Sequence, residues 1–181
     1  MNNLLIFCVL LIVNCSVTYA TKYQYWENLN DSLKSSFIHS TNIGDNLKNL
    51  YNHQIYLTDD DASRAILDTL CTQVDGNKRM FYFHMLNDVV MHADGALAEM
   101  LAEYCFKYVS ENSDYVLYYF SLHSDISEKY ALLIAAELYY KDISYTDYLK
   151  ELTSSVKDDM TKNYLPLFIK KIETNMKQIQ D

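Results

Sequence analysis

Three glycines and one proline in 181 residues leave this chain few places to turn sharply. A β-sandwich or barrel needs a turn signal about every 8–12 residues. Glycines at 44, 76 and 95 and a proline at 166 cannot supply that many. Apolar residues instead recur at spacings of three and four, which is the period of a helix with one wet side. Trp26, Leu29, Leu33 and Phe37 follow this rule, as do Leu165, Phe168, Ile172, Met176 and Ile179. No strand-like alternation of useful length occurs. The expected fold class is all-α: helical hairpins arranged as a short α-solenoid or as a bundle.

Capping residues divide the chain further. The first stripe predicts a helix over residues 23–38, and a short piece carrying Leu47, Leu50 and Tyr51 follows Gly44. Thr58-Asp59-Asp60-Asp61 supplies an N-cap and an acidic first turn, where the helix dipole favours negative charge. That helix is expected to reach Val74 and to stop at Asp75-Gly76-Asn77. The next spans 79–92, interrupted by Asp94-Gly95, and another spans 96–109. Ser113 and Asp114 open a short helix to Leu122. Ser124 or Asp125 caps 127–140, whose centre, residues 131–136, carries no charge. Ser144-Tyr145-Thr146-Asp147 is a further capping box. Pro166 is expected to force a kink or a new start.

The first twenty residues have no charged side chain, and Leu4 to Val13 is an unbroken apolar run. Ten apolar residues followed by small ones have the form of a signal peptide, well short of the ~20 residues a bilayer span needs. Cleavage is expected after Ala20, leaving residues 21–181 as one helical domain that is exported, periplasmic or secreted. Lipidation at Cys15 is the alternative. No transmembrane segment is expected in the mature chain.

Charge narrows the partners. With 15 basic and 24 acidic side chains the formal charge is −9. Nucleic-acid binding draws on cationic side chains that displace counterions, so neither nucleic acid nor anionic lipid is an expected partner. Seventeen tyrosines alongside only two arginines, Arg64 and Arg79, reflect compositional bias. Tyrosine also packs well where its ring is buried and its hydroxyl reaches water.

Segments starting at Asp60 and Asp94 align without a gap, Ala62, Leu67 and Cys71 falling on Ala96, Leu101 and Cys105. A third copy starts at Asp125. Two-helix units over 60–93, 94–124 and 125–157 result, and in this architecture the chain resembles α-solenoids of the HEAT and tetratricopeptide kind. The resemblance implies stacked pairs sharing one core. Equivalent cysteines in a stack point the same way, so Cys71 and Cys105 are expected to stay reduced.

Only one constellation has ligand spacing. His84, Asp88 and His92 stand four and four apart and would form one helical stripe, a candidate metal site. No His-Glu-x-x-His, Glu-x-x-His or Cys-x-x-Cys occurs to complete it, nor any Gly-x-Ser-x-Gly or phosphate loop. No cofactor is expected. The Asn30-Asp31-Ser32 sequon matters only where the source glycosylates. The reading that follows is an exported, non-catalytic module binding a protein or peptide. An exported metal-dependent enzyme using His84, Asp88 and His92, or a bundle holding a small apolar ligand, are the alternatives.

Overall fold

The computed structural model describes residues 22–180; the expected signal peptide and its cleavage point lie outside them. Among the described residues there are nine α-helices and no strand. They are α1 (Asp31–Ile38), α2 (Asp45–Tyr51), α3 (Asp61–Leu70), α4 (Gly76–His92), α5 (Gly95–Glu111), α6 (Ser113–Leu122), α7 (Ser124–Tyr140), α8 (Tyr145–Ser155) and α9 (Asp159–Gln180). No helix among them is long and apolar enough to cross a membrane.

The hub is α7, which packs against α4, α5, α6 and α9. Tyr130, Ala131, Ile134 and Ala135 of α7 are wholly buried, beside Phe120 of α6 and Phe168 of α9. The Phe120 ring lies 4.9 Å from that of Tyr130 and 5.2 Å from that of Phe168. Burial of such side chains, at roughly 1.5–3 kcal/mol each, holds the helices around α7. In a stack of pairs a unit meets only its neighbours. Here α4 of the first expected unit also touches α7 of the third.

The units also differ in where they break. Asp60 and Asp94 both precede helices in extended conformation. The first helix then ends at Leu70, whereas α5 runs on to Glu111. In the gapless register the break at 71–75 therefore overlies the interior of α5. Asp75-Gly76, expected to stop a helix, starts one. Gly76 and Gly95 sit at φ +59° and +47° directly after aspartates in extended conformation. Only glycine takes that conformation without strain.

The N-terminal stripe is not one helix. Trp26–Asn28 forms a single 3-10 turn, and Asn30 restarts the chain as α1 by accepting the Leu33 N–H at 2.9 Å. An Asx cap of this kind satisfies an otherwise orphaned donor. The interruption sends Trp26 inward, 2% exposed, and leaves Leu33 48% exposed. At the other end α9 runs straight through Pro166 from Asp159 to Gln180. Pro166 and Lys162 are both exposed, so water can serve the carbonyl whose donor proline removes.

Polar clamps fix the ends. Asp114 accepts from the Lys157 and Asp158 backbone N–H groups and from Thr161 Oγ1 at 2.6 Å, joining α6 to the α8–α9 corner. Lys22 pairs with Asp158 at the same corner. Lys171 of α9 reaches the first turn of α7, donating to the Ser124 carbonyl at 3.0 Å and pairing with Glu128 at 3.4 Å.

Candidate functional site

A long concave surface runs along α5. At its centre is an open groove of about 700 Å3 between α5 and α7, edged by Arg64 of α3. From α5 come Ala98, Glu99, Met100, Ala102 and Glu103; from α7 come Leu132, Leu133, Ala136, Glu137 and Tyr140. The α7 residues fall at spacings of one, three, one and three, which is a single helical stripe. Small side chains set the depth, because alanines let the two helices approach. Leu132 at 41% and Tyr140 at 73% exposure stand at its edge.

Two depressions continue the groove. One, of about 530 Å3, shares Asp59 and Ala96 with it and lies against the 50–59 segment. The other, of about 340 Å3, shares Glu103 and Glu137 and extends towards Glu151 of α8. Eight carboxylates line the whole furrow: Asp59, Asp88, Asp94, Glu99, Glu103, Glu111, Glu137 and Glu151. Only three permanent cations do, Arg64, Lys107 and Lys141.

The residues singled out for a metal site are separated in role. His84 is held by Glu27, its Nδ1 lying 2.8 Å from Glu27 Oε1. His92 turns back on its own helix, with Nδ1 2.8 Å from the Asp88 carbonyl and 3.5 Å from Asp88 Oδ1. Asp88 and His92 line the furrow's outer depression, whereas His84 does not. Among the described residues no group of three or more His, Cys, Asp or Glu side chains is placed to hold a metal ion.

What His84 does join is a cluster that linear spacing does not reveal. Tyr119 Oη approaches Glu27 Oε1 at 3.4 Å, and the Tyr119 ring stacks on His123 at 4.0 Å. Burial works to raise the Glu27 carboxyl, but the His84 hydrogen bond, its own backbone and the charges of His84 and His123 hold it below the usual range. Burial pushes the Tyr119 hydroxyl up, reinforced by the Glu27 charge. Fifty-seven residues separate Glu27 from His84, so only the fold makes this pair. Its evident work is to tie the 3-10 turn to α4 and α6.

The thiols offer no activated nucleophile. Cys71 and Cys105 are both free. Burial pushes Cys71 up to about 12 and Cys105 well above its ordinary value, whereas reactive cysteines are depressed. Tyr104 Oη donates to Asp68 at 2.8 Å and is pushed up to about 12 by burial and that carboxylate.

Comparison with protein-family models, with curated proteins and with solved structures finds no match to this chain.

Proposed function

We propose that this chain is an exported, non-catalytic interaction module that binds a protein or peptide segment in the furrow along α5. The observation that carries the reading is the furrow itself, an apolar floor of alanine, leucine and methionine rimmed by charge. Grooves between helices with that composition receive amphipathic segments, whose apolar side covers the floor. Export rests on the apolar run at Leu4 to Val13 and the small residues before Thr21.

The test is selection of peptides from a random display library on the mature chain, followed by binding to Ala136→Trp. An indole at Ala136 fills the furrow floor, and selected peptides are expected to weaken by about tenfold or more. Peptides that bind the variant equally would place recognition elsewhere. Failure of any peptide to enrich would count against the module. N-terminal sequencing of the exported protein should find Thr21; a lipidated Cys15 would replace cleavage after Ala20 by a membrane anchor.

A further inference from the structure

One carboxylate in the furrow has no partner among the described residues. Glu137 is 8% exposed and lines both the central groove and the depression towards α8. Among the described residues its carboxylate accepts no hydrogen bond and forms no ion pair, unlike Glu27, Asp114 and Glu128 elsewhere in the molecule. The Glu137 oxygens are not among the buried side-chain atoms left without a partner, so the open groove supplies them with water, which a ligand filling the groove has to replace.

The neighbours sharpen the point. Burial pushes the Glu137 carboxyl above its ordinary range; Lys141, one turn along α7, opposes this, and Glu103 across the groove adds to it. Glu99 and Asp59 are further acids on this rim, with Arg64 as the only other cation. A cationic group arriving between Glu137 and Glu103 would satisfy the first and relieve the repulsion between the two. No anionic or neutral group does both.

Resting on the reading that the furrow binds a peptide, we propose that its ligand is an amphipathic segment carrying a Lys or Arg side chain. The cation sits between Glu137 and Glu103, and its apolar neighbours lie on Leu132, Leu133 and Ala136. The excess of carboxylates over cations along the furrow draws such a segment in and disfavours acidic ones.

The probe is a register series of labelled amphipathic helices of leucine, alanine and glutamine, each with one lysine. Each is about 16 residues, or ~25 Å of helix, matched to α5. Each has a twin in which that lysine is acetylated, and binding is followed by fluorescence anisotropy on the mature chain. At least one register is expected to bind, and acetylation to weaken it by about tenfold or more. Glu137→Gln should bring the two twins together while leaving circular dichroism unchanged. Glu103→Gln, at an exposed position, should narrow the gap partly and serves if Glu137→Gln fails to fold. A twin pair that binds equally, a gap that survives Glu137→Gln, or no binding in any register would overturn the cation seat. The Ala136→Trp variant keeps the two readings apart. If this variant weakens binding but acetylation does not, the furrow stands and only its ligand chemistry is wrong.

Discussion

The two sides of α7 are made from similar residues and meet opposite fates. Towards α4, α6 and α9, Tyr130, Ala131, Ile134 and Leu138 are buried to 2% exposure or less. Towards the furrow, Leu132 and Tyr140 remain 41% and 73% exposed, and the Glu137 carboxylate meets no partner among the described residues. Each set repeats at helical spacing. The difference lies in the neighbours: Tyr130 Oη donates to Asn87 Oδ1 of α4 at 2.9 Å, while among the described residues nothing reaches across to Glu137. A covered apolar stripe is a core, and the uncovered one on the furrow side stays open to solvent.

Substitutions can break that contrast. The largest effect is expected on the covered side: Ile134→Ala should cost about 2–5 kcal/mol, read by urea denaturation, because a wholly buried side chain leaves a cavity. Leu132→Ala on the open side should stay within about 0.5 kcal/mol. Equal losses at the two positions would erase the distinction. Tyr130→Phe should come next, at about 1–3 kcal/mol. It strips the donor from Asn87, whose Nδ2 already has no partner in its buried place.

Glu137→Gln should move the other way. The Glu137 carboxyl is raised in the folded chain, so its ionised form destabilises the fold above that value. The neutral amide should therefore stabilise slightly at neutral pH, read as a higher Tm. The advantage should vanish as pH falls through the raised value, where the native carboxyl is itself neutral. A variant that is less stable at pH 7 would mean that Glu137 has a partner after all.

The smallest effect belongs to the Glu27–His84 pair. Its Glu27 side chain is 39% exposed, so solvent screens it and a double-mutant cycle with Gln at both positions should give a coupling of about 0.5 kcal/mol. Because the Glu27 carboxyl is held low, this contribution is present above the unfolded value for glutamate and is lost as pH falls through the lower folded one. His92→Gln should change nothing measurable, since its side chain is 76% exposed. A loss of several kcal/mol at His92 would show a role that its exposure does not suggest.

Much of the helical layout can be read from residues. Ser113 and Asp114 announce a helix to Leu122 and it forms there, and Ser144 caps α8 through the Asp147 N–H as its spacing implies. Errors arise where a signal has two meanings. Asp-Gly marks a turn, and here the turn begins a helix instead of merely ending one. Proline breaks a ladder only where water cannot replace the bond, and Pro166 is on the wet side of α9. Trp26 and Leu33 share a stripe, yet Asn30 prefers to cap. In the furrow, Glu99 and Glu103 are legible as the wet side of α5, but Glu137 is hidden inside an apolar helix with no motif to mark it.

Sequence alone determined that this chain is helical, acidic and poor in turn residues, because period, charge and capping are properties of short segments. Tertiary structure decided which apolar stripe of α7 is covered and that His84 serves Glu27 instead of standing with Asp88 and His92. It also decided that the Glu137 carboxylate opens on the furrow with no partner among the described residues. Those outcomes depend on groups tens of residues apart, and no local spacing records which of them will meet once the helices pack.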